Sequence, residues 1–465
     1  MKIVIVENPR PLTIEHYNDV ANAPLSASLN SGYALAVARE AGWETCHLDF
    51  TRSAEGDASL AAAILATGAD LVLFHWVYSW GNDGRVAGII DLLQRERHVI
   101  VGAFGLFPTL AGAALFGFAG GLDCLLIGEF EASLKELLLS MECKGRPTGI
   151  AGVALPGEPF RRREVHRDLS WLPIPDDVGI NAGLSSINVA ASRGCFGNCG
   201  FCFIPTYYGA PGRRVRAVES LEAELDARLA RRKADHAYFI DPTFFGIGAA
   251  EKERVRRIGK LLAQRRVGFG FECRVDTVDR DLLEDLGSDG ATDIFLGVES
   301  GCDAALRRMN KRVTKEDIVR AVKSVQQVGI NLHVGFIMFE PDTTLDEVGE
   351  NFRFLEELGL LSDPDRTVNL LYHSQIVLYG SRSWERFERE GRLLKDERLP
   401  FEASFTFRDP KVAKVCAGMK EIATEYFLKG EGKVAAEHIG TCGRDGSEAV
   451  NAQMKESFLR LLREA

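Results

Sequence analysis

The densest chemistry in the chain is the run Ser192-Arg193-Gly194-Cys195-Phe196-Gly197-Asn198-Cys199-Gly200-Phe201-Cys202-Phe203. Cys195, Cys199 and Cys202 follow an apolar run closely and share one loop, so their thiols can meet at one object. Thiolates are soft donors suited to zinc or to iron–sulfur clusters. Gly194, Gly197 and Gly200 let the backbone approach that object closely. A structural zinc ion asks for a fourth ligand nearby, and the next cysteine is Cys273. Three thiolates suit a [4Fe–4S] cube with one iron left open to chelate a substrate. Cys195, Cys199 and Cys202 are the expected metal ligands. The other cysteines, Cys46, Cys124, Cys143, Cys273, Cys302, Cys416 and Cys442, stand singly and read as buried thiols.

Positioning such a loop takes a rigid scaffold, and the apolar pattern supplies two. The front of the chain alternates strand candidates (2–7, 44–50, 70–76, 98–103, 123–128) with helical stretches near 26–41, 57–67, 83–96, 108–117 and 131–141. That rhythm predicts a Rossmann-like, doubly wound parallel sheet over 1–142, whose ligands would lie beyond the strands' carboxyl ends. Residues 143–180, rich in Gly and Pro, read as a linker. Apolar runs at 187–191, 236–241, 268–273, 293–298, 332–338 and 367–378 then predict a partial (β/α)6 barrel over 181–390. The expected fold class is α/β throughout, with a mainly helical region over 391–465 whose position suggests a cover for the barrel mouth.

At 465 residues, 46% of them hydrophobic and 26% charged, two or three globular domains are expected. The start, Met1-Lys2-Ile3-Val4-Ile5-Val6-Glu7, reads as a first strand rather than a signal peptide, and no apolar run is long enough for a membrane helix. The expected compartment is the cytoplasm. A net charge of −10 argues against nucleic-acid and anionic-membrane partners. The run Arg161-Arg162-Arg163 reads as a solvated face of the linker.

The CxxxCxxC spacing with an aromatic residue before the last cysteine resembles the radical S-adenosylmethionine (SAM) superfamily. The resemblance covers residues 186 to about 390. It implies a cluster whose open iron binds SAM, and reductive cleavage of SAM to a 5′-deoxyadenosyl radical. Further segments fit in order. Phe239-Ile240-Asp241-Pro242 resembles the second-strand segment, which would give Asp241 the SAM ammonium. Phe271-Glu272-Cys273-Arg274 resembles the fourth-strand motif, with Glu272 near the ribose and Arg274 clamping the carboxylate. Leu296-Gly297-Val298-Glu299-Ser300-Gly301 resembles the fifth-strand signature, with Glu299 facing the barrel. Asp241, Glu272, Arg274 and Glu299 are thus the expected cofactor-binding residues. Met309-Asn310-Lys311, Gly335 to Pro341 and Tyr379-Gly380-Ser381 follow the branch with a cobalamin-binding-type front domain, which usually has Gly-Thr where Gly380-Ser381 stands.

Cobalamin itself is left open. No Asp-x-His-x-x-Gly motif is present, and Phe104 and Phe107 occupy the loop where that branch tends to place a Gly-Gly pair. His75, Trp76, Tyr78 and Trp80 crowd another loop of the same crevice. Two reactions follow from the resemblance. The Cys202-to-Gly209 segment is similar to the radical diol dehydratases of aminoglycoside antibiotic biosynthesis, which remove a 3′-hydroxyl from a pseudodisaccharide with a partner NAD(P)H-dependent reductase. Tyr207 and Tyr208 would then be the catalytic residues, one protonating the leaving hydroxyl, and Glu129, Glu340 and Asp342 would meet a cationic substrate. The other reaction is cobalamin-dependent radical methylation of a natural product. Either needs an electron donor such as flavodoxin or ferredoxin. A non-catalytic iron–sulfur or zinc scaffold is the alternative from another class.

Overall fold

The computed structural model describes residues 1–10, 29–77, 81–96, 99–143, 147–177, 185–209, 212–429 and 447–465. Tyr78, Trp80 and Cys442 lie outside the described residues.

The front sheet contains β1 (Lys2–Glu7), β2 (Glu44–Asp49), β3 (Leu71–His75), β4 (Ile100–Phe104), β5 (Cys124–Leu126) and β6 (Val153–Ala154). Its order is β2-β1-β3-β4-β5-β6, a doubly wound arrangement with the switch point between β1 and β3. Ile3, Val4, Ile5 and Val6 are all fully buried, as expected of a strand covered by helices on both faces. The first five strands are parallel, and β6 runs antiparallel to β5. Thus part of the Gly- and Pro-rich segment read as linker joins the sheet edge.

Next come β7 (Ser186–Val189), β8 (Ser192–Cys195), β9 (Gly212–Val215), β10 (His236–Phe239), β11 (Gly268–Arg274), β12 (Ala291–Glu299) and β13 (Asn331–Phe336). Five of these form the parallel barrel sheet, in the order β13-β12-β11-β10-β7. The run 367–378, read as a sixth strand, is instead the helix Pro364–Tyr372, and only a Phe339–Ser374 bridge continues the sheet. Asp363 and Pro364 explain the difference. The Asp363 carboxylate accepts from the Arg366 N–H at 2.9 Å, and proline suits the first helical position.

The tail adds a small antiparallel sheet, β14 (Val377–Leu378), β15 (Leu393–Asp396) and β16 (Leu399–Phe405), and the helices Pro410–Lys429 and Ser447–Glu464. These two helices do not cover the barrel mouth. They pack on the barrel's outer helices, where the Phe458 ring stacks on Phe352 at 5.3 Å and Lys455 pairs with Glu356 at 2.8 Å. The reason is the apolar face of Leu345–Glu357, which needs a partner on its outer side. No helix among the described residues is long and apolar enough to cross a membrane.

Candidate active site

The cysteine loop is anchored at both ends. β8 follows β7 directly and pairs antiparallel with β9, Cys195 opposite Gly212. Gly194 has φ +81°, and a Cβ there would strike the Gly212 carbonyl, so glycine is required for the hairpin to close. Asp241, at the carboxyl end of β10, is fully buried. It accepts from the Ala191 N–H at 2.9 Å and from the Ser192 hydroxyl. Burial pushes its carboxyl up to about 6, against those hydrogen bonds. Both of its oxygens therefore serve the backbone that enters the cysteine loop, a different task from the ammonium contact the resemblance implied.

Arg274, at the end of β11, reaches the loop from inside the barrel. Its Nε and Nη2 donate to the two Asp276 oxygens at 2.9 Å each, and Nη2 also donates to the Lys311 carbonyl at 3.1 Å. The remaining Nη1 points at Cys199 Sγ, 3.8 Å away, and the guanidinium lies over the Phe196 ring at 5.4 Å. A side chain at position 197 would collide with Nη1, so Gly197 is what lets the loop close over this arginine. Asp276 was not singled out by sequence, although its place two residues after Arg274 was a usable signal.

Glu299, at the end of β12, has φ +68°, a left-handed backbone at a register shift in the sheet. Its carboxylate accepts from Lys311 Nζ at 2.7 Å. Lys311 is buried, yet the Glu299 and Cys199 charges outweigh desolvation and raise its ammonium above the ordinary value. This buried cation was visible in sequence only as part of Met309-Asn310-Lys311.

Across the sheet, Arg274 lies beside Gly297, and Gly297 beside Gly335. One row deeper come Glu272, Phe295 and His333. The upper row therefore ends in two residues without side chains next to an arginine, and the space they free is taken by the Glu299 carboxylate and Lys311 Nζ over Gly297 and by the Phe295 ring beside Gly335. Glu272 accepts from the Tyr238 hydroxyl at 3.3 Å, and burial pushes its carboxyl up to about 7.

The thiols themselves are free of disulfides. Burial drives Cys202 up to about 12, and the nearby Cys199 and Cys195 add to the rise. Three mutually repelling soft donors stay together as thiolates only around positive charge. The donor set, the wrapped glycine loop and the arginine over it fit a [4Fe–4S] cluster. Among the described residues no His, Cys, Asp and Glu side chains gather as a single metal ion would need.

Tyr207 and Tyr208 sit elsewhere, on the short helix Ile204–Tyr208 at the seam between cysteine loop and front sheet. Their rings meet edge to face at 5.0 Å, and Arg214 lies over Tyr208 at 5.5 Å. Burial raises both phenols, so both stay protonated. Tyr207 lines a cavity at this seam with Gly128, Glu129, Arg162 and Trp171.

The three carboxylates expected to meet a cationic substrate are all taken. Glu129 pairs with Arg214 and with Arg193, Glu340 with Arg308 at 2.6 Å, and Asp342 with Arg392 at 2.7 Å and Arg386 at 2.5 Å. Buried carboxylates attract partners, and these partners come from distant positions in the chain.

Residues 189–355 match the model of the radical SAM superfamily. This segment is a radical SAM domain. Such domains work with a [4Fe–4S] cluster and SAM. The chain is 32% identical over 213 residues to 4′-phospho-dehydrooxetanocin synthase of Priestia megaterium, covering 40% of this chain and 28% of that protein. It is 29% identical over 225 residues to hopanoid C-2 methylase of Rhodopseudomonas palustris, covering 47% of this chain and 41% of that one. The matched segment thus spans less than half the length of either relative. The fold of nearly the whole chain is shared with the cobalamin-dependent SAM radical enzyme OxsB, at TM-score 0.75, 18% identity, and coverage of 99% of this chain and 79% of that one. It is also shared with the radical SAM methyltransferase TsrM of Kitasatospora setae, at TM-score 0.70, 17% identity, and coverage of 99% and 95%.

Among the described residues, the loops beyond β3 and β4 pack closely against each other. The Trp76 N–H donates to the Phe104 carbonyl at 2.8 Å and the Phe107 N–H to the Trp76 carbonyl at 3.2 Å, so the two loops stay paired past the strands. A Cβ on Gly105 would lie 2.9 Å from His75 Cδ2, which leaves nothing to insert between them. Phe401, from β16, closes the outside, with its ring 5.3 Å from Phe107, 5.7 Å from Phe118 and 6.3 Å from Trp76.

Proposed function

We propose that Cys195, Cys199 and Cys202 ligate a [4Fe–4S] cluster and that this radical SAM enzyme abstracts hydrogen from a small molecule bearing a vicinal diol, which then loses water. The observation that carries the radical step is Arg274 Nη1 aimed at Cys199 Sγ at 3.8 Å, beside the buried Glu299–Lys311 pair. When bound, the cluster and SAM supply a 5′-deoxyadenosyl radical.

The chain's own residues do the rest. Asp276 takes the Nε and Nη2 donors of Arg274 and holds the guanidinium rigid, which leaves Nη1 as the donor facing the cluster site. Lys311 and Glu299 form a buried pair over Gly297. Glu272, whose carboxyl burial pushes up to about 7, lies one row deeper and is the candidate partner of a ribose hydroxyl. The departing hydroxyl takes its proton from water, since Tyr207 and Tyr208 lie at the seam with the front sheet. Loss of water leaves an α-carbonyl radical, which takes one further electron from the electron donor and a proton from water to become a ketone, and returning that ketone to an alcohol calls for a separate hydride-donating reductase. An aminoglycoside pseudodisaccharide is the specific candidate. The arginine pairing of Glu129, Glu340 and Asp342 leaves its amino groups to be met by other residues.

The closed crevice of the front sheet favours dehydration without a corrin. The whole-chain likeness in fold to OxsB and TsrM favours the second reading, cobalamin-dependent methyl transfer. Anaerobic reconstitution with iron, sulfide, SAM and a pseudodisaccharide tests them. Dehydration yields 5′-deoxyadenosine without S-adenosylhomocysteine and ignores added hydroxocobalamin. Both products, with strict dependence on cobalamin, would establish the second reading. No 5′-deoxyadenosine under either condition would sink both.

A further inference from the structure

We infer that the Gly128-Glu129 turn of the front sheet is the mount of the cysteine loop, and that Glu129 is a positioning residue for the chemistry at that loop. This rests on the reading that Cys195, Cys199 and Cys202 carry the cluster.

The loop hangs from the β8–β9 hairpin, and strand alternation sends the hairpin's arginines to opposite faces. Arg213 turns toward the barrel, where it pairs with Glu251 at 2.5 Å and donates to the Thr243 carbonyl at 2.9 Å. Arg193 and Arg214 stand directly opposite each other across the hairpin and share the other face. Like charges placed so repel and disfavour the pairing, so the hairpin needs carboxylates from outside. The front domain supplies them. Glu129, just past β5, accepts from both Nη1 (at 3.1 Å) and Nη2 of Arg214, and lies 3.7 Å from Arg193 Nη1. Glu131, at the start of the helix Glu131–Glu142, accepts from Arg193 Nη2 at 2.5 Å. The two carboxylate side chains are 7% and 1% exposed, so these charges meet out of water, where an uncompensated one is costly.

The exit of the loop reaches the same turn. Tyr208, on the short helix that follows Cys202, has the Arg214 guanidinium over its ring at 5.5 Å. Arg162 donates to the Thr206 carbonyl at 2.8 Å and to the Tyr207 carbonyl, in the last turn of that helix, where a cation suits the unpaired carbonyls. Gly128 has φ +77°, and a Cβ there would lie 3.4 Å from the Tyr207 carbonyl oxygen and 3.5 Å from Arg162 Nη2, so the turn fits against both. The Gly128 N–H donates to the Thr109 hydroxyl at 2.8 Å, and that hydroxyl donates to the Gly105 carbonyl at 2.8 Å, which ties the turn to the loop after β4. Entry and exit of the cysteine loop are thus both held to one turn of the front sheet. SAM is bound at a fixed place only if the thiols that hold its iron are fixed, so a loosened mount weakens SAM binding before it slows the chemical step.

The test is Glu129→Gln in the reconstituted enzyme, which keeps the size of the side chain and leaves Arg193 and Arg214 one negative charge short. The KM for SAM in 5′-deoxyadenosine formation should rise about tenfold while kcat stays within about threefold of wild type. The change that SAM induces in the electron paramagnetic resonance spectrum of the reduced cluster should weaken in step. Arg214→Lys keeps the charge but loses the fork and the ring contact, so it should raise KM in the same way by a smaller factor, and it carries the test if Glu129→Gln does not fold. Glu129→Gln combined with Arg214→Gln should be no worse than the worse single variant, because both break one contact. A lowered denaturation midpoint with KM and spectrum unchanged would mark an ordinary buried ion pair and overturn the mount, as would KM rises that multiply in the double variant. Hydrogen exchange judges the mount whether or not a cluster is bound: amides of 193–203 and 212–215 should exchange about tenfold faster in Glu129→Gln while those of β10 to β13 hold. Equal exchange would overturn it. Wild-type protein that takes up no iron and sulfide would overturn the cluster reading, and the exchange measurement would still decide the mount.

Discussion

At the carboxyl ends of β3 and β4 the front sheet carries Trp76, Phe104 and Phe107, all buried, whereas at the carboxyl ends of β11, β12 and β13 the barrel carries Arg274, Gly297 and Gly335. Both are carboxyl ends of parallel strands, where such sheets bind ligands. In the front sheet the loops hydrogen-bond to each other and a distant strand caps them with Phe401. In the barrel the space of the missing side chains is taken by charged groups and a ring, with Arg274 paired to Asp276 and Glu299 to Lys311. The difference teaches that the carboxyl ends of two parallel sheets can be lined in opposite ways, one by packed rings and one by paired charges.

The largest effect that tests this contrast lies at the barrel. Cys199→Ala should lower 5′-deoxyadenosine formation by at least about a thousandfold, because it removes one of the three proposed cluster ligands; chromatography of the product and assay of iron and sulfide check it. Full activity would dissolve the contrast. Arg274→Lys should cost roughly ten- to a hundredfold in the same assay, since an ammonium cannot keep the Asp276 fork and also reach Cys199. Unchanged circular dichroism would confirm that the loss is local.

At the front crevice, Phe401→Ala should destabilise the protein by about 3 kcal/mol, as expected for emptying a buried ring site, read by chemical denaturation. The same variant, incubated with hydroxocobalamin, tells whether an opened crevice takes up a corrin. Wild-type protein that already retains stoichiometric cobalamin after gel filtration would erase the difference between the two regions.

The smallest effect is a pH slope. Glu272 is raised from 4.5 to about 7, so between those values the folded state holds a proton that the unfolded state has lost. Stability from this group is therefore present below pH 4.5 and lost as the pH rises through about 7. Glu272→Gln should flatten the decline in denaturation midpoints over that window. Asp241, raised to about 6, contributes a slope of the same sign that the variant leaves in place.

Much of this was legible one-dimensionally. The cysteine triplet announces its loop because ligands of one cluster must lie close in sequence when one hairpin presents them. The front strands are legible because strands buried on both faces must be apolar throughout. The helix Pro364–Tyr372 was hidden because a short apolar run suits strand and helix alike, and Asp363 and Pro364 decided the matter locally. The tail's destination was hidden because nothing near Phe458 says that Phe352 awaits it.

What the amino-acid order determined alone was which side chains are chemically competent: three clustered thiols, a lone arginine after a strand, glycines at strand ends. The tertiary structure decided which of them are free to act. Glu129, Glu340 and Asp342 looked available for substrate until folding brought arginines to each, and Phe401 closes a crevice formed by residues some three hundred positions earlier. Charge pairing and ring packing act through space at a few ångströms, so their partners are chosen by the fold and not by neighbourhood along the chain.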